Sequence, residues 1–164
     1  MKKYITVILI AGLIGCTSQN AIVEYKSMSQ KEFLERPFGF DESIENFLNI
    51  VKPKFQTQKL LRKNKHYPEK TDTIYQFRYK KSEIFFYKTH QGQEFLLAGK
   101  VLNKQINLKN NIQVGITKDD FISKFSDEIN FKADSLQMIG EGTKYTFIFQ
   151  EGKLYRINID NYFD

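Results

Sequence analysis

The sequence predicts an α+β fold in which two related units, each an amphipathic helix followed by an antiparallel β-hairpin, pack as one compact body. Two observations predict it. Aromatic residues alternate with mostly polar ones in residues 73–79 and again in 143–149, and the two stretches align without a gap at an offset of 70. A short apolar stripe at helical spacing precedes each stretch, and each stripe follows a glycine, Gly39 or Gly115. A duplication explains this better than chance alternation, although Phe (15) and Tyr (9) are abundant enough to supply some of the match.

The first helix is expected over residues 42–51, with Asp41 as its N-cap. Ile44, Phe47, Leu48 and Val51 recur at helical spacing, and Pro53 stops the helix because the residue before proline avoids the α region. The segment from 58 to 71 is rich in Lys and Arg and reads as extra length in the first unit. The first hairpin then runs through Tyr75, Phe77 and Tyr79, turns at 80–82, and returns through Ile84 to Tyr87. Aromatic side chains at a period of two suit a half-buried pleated strand. A further strand is expected from Glu94 to Val101.

The second unit repeats the pattern. A short apolar piece at 105–108 leads into a helix expected over 118–128, where Thr117 and Asp120 form a variant capping box and Phe121, Ile122, Phe125 and Ile129 form the stripe. Residues 135–139 read as a strand closed by Gly140-Glu141-Gly142. The second hairpin places Tyr145, Phe147 and Phe149 on Tyr75, Phe77 and Tyr79, turns at 150–152, and places Leu154 on Ile84.

The N-terminus carries a different message. Lys2 and Lys3 precede an uncharged run from Tyr4 to Ile14, then Leu13-Ile14-Gly15-Cys16. A basic start, an apolar run and a small-residue cleavage site define a secretory signal. The run has eleven residues, whereas a membrane-spanning helix needs about 20. Cys16 is the only cysteine, so the exported body has no disulfide within the chain and must be stable from its core alone.

The residues around Cys16 resemble the bacterial lipobox. That resemblance implies cleavage between Gly15 and Cys16 and acylation of Cys16, with residues 1–15 as signal peptide and 16–32 as acylated N-terminus and tether. Residues 33–102 and 103–164 are then the two α+β units. Thr17, not aspartate, follows the cysteine, which by the sorting rule of such lipoproteins favours the outer membrane.

A second resemblance concerns the body. Gly115-Ile116-Thr117-Lys118-Asp119-Asp120-Phe121, followed by the Tyr145/Phe147/Phe149 strand and Gly152-Lys153-Leu154, is similar to the unit shared by BamE-type assembly lipoproteins and the β-lactamase inhibitory protein. The first half matches more loosely, through Gly39-Phe40-Asp41 and its aromatic hairpin. A tandem pair is the inhibitor-like arrangement, but the inhibitor's paired cysteines are absent and no binding residue transfers. The likeness speaks to fold more than to function.

Catalytic patterns are scarce. His66 and His90 are the only histidines, which excludes a histidine-rich metal site, and no metal or cofactor is expected. No Gly-x-Ser-x-Gly elbow or glycine-rich phosphate loop occurs. Asp119-Asp120 and Asp127-Glu128 are neighbours in sequence, so on a helix they point about 100° apart and are better explained by helix-end placement. Asn158, Asp160, Asn161 and Asp164 lack the glycine and closing glutamate of a calcium loop.

The formal charge of +6 is modest and its residues are scattered, so nucleic acid is not an expected partner. The clearest contact candidates are Lys59, Arg62, Lys63 and Lys65 in the basic segment, read as meeting phosphate-rich headgroups or an acidic partner. Tyr87 and Tyr155 join them, because tyrosine is enriched in interfaces. The sequence therefore predicts a non-catalytic, lipid-anchored envelope protein that binds a protein partner in an assembly or inhibitory role. The competing class is a small envelope enzyme or ligand-binding lipoprotein with a cleft between the units.

Overall fold

Seven strands form one antiparallel sheet in the order β1-β2-β3-β4-β7-β6-β5. The structure is a computed structural model, described here for residues 27–161 apart from positions 42 and 52. The expected signal peptide, with Gly15 and Cys16 at its expected cleavage site, and the last three residues lie outside the described residues. In chain order the elements are α1 (Gln30–Glu35), α2 (Ile44–Ile50), β1 (Gln56–Lys63), β2 (Thr71–Tyr79), β3 (Ser82–Lys88), β4 (Glu94–Val101), α3 (Lys118–Ile122), β5 (Ser135–Gly140), β6 (Thr143–Gln150) and β7 (Lys153–Asn161).

This corrects the expected pair of helix-plus-hairpin units. Strand accounts for 44% of the described residues and helix for 16%, so the sheet, and not a helix–hairpin pairing, organises the molecule. Three physical causes are visible. First, β4 pairs with β7 from Ala98↔Asp160 to Val101↔Ile157, which fuses both hairpins into a single sheet. Second, residues 56–63 form a strand, β1, paired along its whole length with β2. Third, the helices are short. The α3 helix stops at Ile122 because Met28 takes the backbone groups that would extend it. Met28 N–H donates to the Lys124 carbonyl at 3.0 Å, and Ser126 N–H donates to the Met28 carbonyl at 2.9 Å.

Each helix is started by a hydroxyl. Ser29 Oγ accepts from Glu32 N–H, Ser43 Oγ from Asn46 N–H, and Thr117 Oγ1 from Asp120 N–H. Ser43, not Asp41, is therefore the cap of α2. All three helices cover the same face of the sheet, each through one buried phenylalanine. Phe47 of α2 meets Phe77 and Phe86, with ring centroids 5.5 and 5.1 Å apart. Phe121 of α3 meets Phe147 and Phe149. Phe33 of α1 packs on Tyr145 and Phe147, so the first of the described helices serves the core beneath the last strands. Such edge-on and tilted pairs contribute roughly 0.5–1.5 kcal/mol each beyond their buried area.

The gapless offset of 70 holds along the first strand of each hairpin and then fails. Tyr75, Phe77 and Tyr79 share a face as Tyr145, Phe147 and Phe149 do. The turns, however, are Lys80–Lys81 and Glu151–Gly152, and Tyr155 is an extra residue in β7 where the register shifts. Phe77 pairs with Ile84, whereas Phe147 pairs with Ile157. Ile157, not Leu154, therefore holds the position of Ile84. Glu151 and Gly152 both take positive φ, at 51° and 73°, the conformation that two-residue hairpin turns favour.

Candidate functional site

Among the described residues no helix covers the second face of the sheet, called here the helix-free face. Successive residues of a strand point to opposite faces, so the partners of the buried aromatics project outward. Pairing places Leu60, Ile74, Tyr87 and Phe95 in one row across β1–β4. Phe85 lies in the next row, between Gln76 and Ala98. Ile74, Phe85 and Tyr87 are half-buried and Leu60 is exposed, and none belongs to the core packed under the helices. The third row, Gln56–Arg78–Glu83–Lys100–Asn158, is entirely polar. The apolar patch is therefore confined to one end of this face.

A buried carboxylate marks that end. Asp72 of β2 is fully buried, yet its oxygens are satisfied by the chain itself. They accept from the Tyr87 hydroxyl, from Asn64 Nδ2 at 2.8 Å and from His90 N–H at 2.8 Å. His90 Nδ1 lies 3.5 Å from Oδ1. The Tyr87 hydrogen bond holds the Asp72 carboxyl below its ordinary range against the upward push of burial, with His90 and Asn64 adding to the effect. Burial and the same carboxylate push the Tyr87 hydroxyl up. Asn64 in turn accepts from His66 N–H and Tyr67 N–H, and Tyr67 stacks edge-on against His90. The 64–70 and 89–93 loops are thus tied together through one carboxylate.

A second node joins α2 to the sheet. Glu94 Oε2 accepts from Ile44 N–H at 2.8 Å, and Oε1 accepts from Lys88 Nζ at 2.7 Å. Burial raises the Glu94 carboxyl, but Lys88 and the helix N–H outweigh it and the net direction is downward.

The residues singled out in the sequence do not form one site. Lys59, Arg62 and Lys63 lie together on β1, an edge strand whose eight residues are all exposed, and Lys65 follows in the loop. Tyr87 is two strands inward, with its hydroxyl given to Asp72. Tyr155 is 50% exposed at the β7 bulge and lines a shallow cavity of about 290 Å³ with Val114, Gly115 and Lys153. A larger depression of about 610 Å³ is lined by Lys54, Gln56, Arg78, Tyr79, Lys80 and Glu83, where Arg78 and Glu83 pair at 3.2 Å. His66 is exposed. Asp119 and Asp120 lie in the first turn of α3, and Asp127 Oδ2 accepts from Gln30 N–H at the start of α1.

Asp72 escaped sequence reading because its partners, Asn64, Tyr87 and His90, lie 8 to 18 residues away and are brought together by strand pairing. Among the described residues, no group of three or more His, Cys, Asp or Glu side chains is placed to hold a metal ion. No described helix is long and apolar enough to cross a membrane. No protein-family model matches the chain, and neither the curated proteins nor the solved structures contain a match to it.

Proposed function

We propose that this chain is a non-catalytic envelope lipoprotein, held at the outer membrane through acylated Cys16, that binds a protein partner through the helix-free face of its sheet. The observation that carries the binding half is the Leu60, Ile74 and Phe85 patch, which sits on the side of the sheet opposite the three described helices. Apolar residues clustered on an exposed face, rimmed by polar rows, mark interaction sites. The anchor half rests on the Leu13-Ile14-Gly15-Cys16 sequence.

The competing class, a catalytic or ligand-binding cleft, has one observation in its favour, His90 beside the buried Asp72. That carboxylate is already engaged by Tyr87, Asn64 and the His90 amide, which suits a structural tie better than a general base.

The test captures the chain from crosslinked envelopes as wild type, as Ile74→Lys/Phe85→Lys and as Tyr155→Ala. A partner that co-purifies with wild type and Tyr155→Ala but not with the double variant supports face binding. The same proteins on all three would sink it. Labelled-lipid incorporation that survives Cys16→Ser would remove the anchor.

A further inference from the structure

We infer that the β1 edge and the loop that follows it form a second contact with the membrane, recognising anionic phospholipid headgroups and laying the sheet edge-down on the bilayer. The inference rests on the anchoring read from Cys16 and goes beyond the protein-binding role of the sheet face.

The segment from Lys59 to Lys70 holds five Lys or Arg against one acid, Glu69, so it carries +4 of the chain's +6. Among the described residues none of these five is in a salt bridge, although other surface charges are, such as Arg36 with Asp41 and Lys109 with Glu32. Three of the eight large exposed apolar side chains among the described residues lie in this same twelve-residue segment. Leu61 is 77% exposed, Tyr67 56% and Leu60 42%. Leucine and tyrosine set among Lys and Arg is the composition of an interfacial membrane surface, where long basic side chains reach phosphates and apolar groups enter the acyl boundary.

The segment is built rather than loose. Strand β1 is paired with β2 over all eight residues. The loop beyond it is closed by Asn64 N–H to the Lys70 carbonyl at 3.0 Å and Lys70 N–H to the Tyr67 carbonyl at 2.8 Å, and it is fastened to Asp72. Tyr67 and the basic side chains are therefore presented from a fixed frame.

Other occupants fit less well. Lysines on an edge strand discourage a further strand, and a second copy would bring another set of like charges against the first. The length of the tether is compatible with this placement. Met28 enters the fold beside Phe125, under the β5–β7 half, at the far side of a sheet about 29 Å across from β5 to β1 at ~4.8 Å per strand. The twelve residue-to-residue steps from Cys16 to Met28 can span at most about 40 Å. That reach lets an anchored Cys16 and the β1 edge meet one plane. A lipid anchor joined to a polybasic patch is a two-signal attachment.

The chain has no tryptophan, so Tyr67→Trp installs a single reporter in the full-length protein. It is reconstituted with vesicles of phosphatidylcholine alone or with added phosphatidylglycerol, and Tyr155→Trp serves as control. On anionic vesicles the Tyr67→Trp emission shifts blue by about 10 nm, the behaviour of an indole at headgroup depth, and is quenched by brominated lipid. On neutral vesicles it stays aqueous, as Tyr155→Trp does on both. Adding Lys59→Glu/Arg62→Glu/Lys63→Glu, all at exposed positions, abolishes the shift. Aqueous emission on anionic vesicles that carry the floating protein overturns the inference and leaves the anchor standing. An equal shift on neutral vesicles overturns its electrostatic basis. A shift with soluble polyglutamate but not with vesicles transfers the surface to an acidic polypeptide. A chain that floats with neither vesicle removes the anchor as well.

Discussion

The hydroxyl of Tyr87 on β3 donates to the carboxylate of Asp72 on β2, and that carboxylate has no exposed surface. The two are diagonal neighbours on the helix-free face, since Tyr87 pairs with Ile74. A buried carboxylate that lost its donors would carry an uncompensated desolvation cost. Here four groups from three parts of the chain converge on it, and their convergence sets the position of two loops.

Asp72→Ala is therefore expected to lower Tm by about 5–10 °C, because it breaks a buried network and orphans the Asn64 amide and His90 N–H. Tyr87→Phe removes one donor and is expected to lower Tm by about 2–4 °C. Amide hydrogen exchange would locate the effect: protection falls in the 64–70 and 89–93 loops and stays unchanged in β6 and β7. A uniform loss of protection would show that Asp72 holds the whole sheet instead.

The same groups set a pH dependence. Asp72 and Glu94 have folded-state values below the ordinary carboxylate range, so the folded state releases their protons more readily than the unfolded chain does. Their contribution is complete above the unfolded value of about 4 and is lost as pH falls below it, through the folded values. Tyr87 and Lys88 are shifted upward, so their contribution is complete below about 10 and fades above it. Denaturant midpoints measured across pH should form a plateau between roughly 5 and 9 that falls on both sides. Asp72→Asn should flatten the acid limb, and Lys88→Met should flatten part of the alkaline limb.

Strands β4 and β7 make the seam between the halves, and Gly99 sits opposite Ile159 at its centre. A Cβ on Gly99 would lie 3.1 Å from Ile159 Cδ1 and 3.4 Å from the Glu83 carbonyl, and Ile159 is itself buried. Gly99→Val is expected to cost about 1–3 kcal/mol through overpacking. Because a single sheet carries one continuous hydrophobic core, the variant should still unfold in one transition when followed by both circular dichroism and tyrosine fluorescence. Two separated transitions would show that the halves are independent.

Much of the sheet was legible where burial imposes a period. The alternating aromatics of β2 and β6 announce themselves because one face of each is packed and the other is not. Strand β1 gave no such pattern. Its Leu60-Leu61 pair and its lysines reflect an edge exposed on both sides, so burial never selected one face. The shortness of α3 was also unreadable, since the groups that stop it come from Met28, about a hundred residues earlier. The extra residues in the second hairpin hid for a related reason: a bulge at Tyr155 changes register without disturbing the aromatic spacing. The contact candidates were found by residue type, but type alone could not separate the basic edge from Tyr87, whose hydroxyl is committed inside the molecule.

Phe85 and Phe86 give the sharpest comparison, because adjacent residues of one strand point to opposite faces. Phe86 is 1% exposed and packs on Phe47 and Phe77. Phe85 is half-buried on the helix-free face, paired with Gln76 and Ala98 and separate from the core. Phe86→Ala should cost about 3–5 kcal/mol, the range for deleting a buried aromatic. Phe85→Ser should cost less than about 1 kcal/mol, as surface substitutions do, while removing whatever the face binds. Chemical denaturation of the two variants beside crosslinking of the second separates the roles. Equal destabilisation by both would mean that Phe85 is core and that the helix-free face is a second packed layer, which would withdraw it as a docking surface.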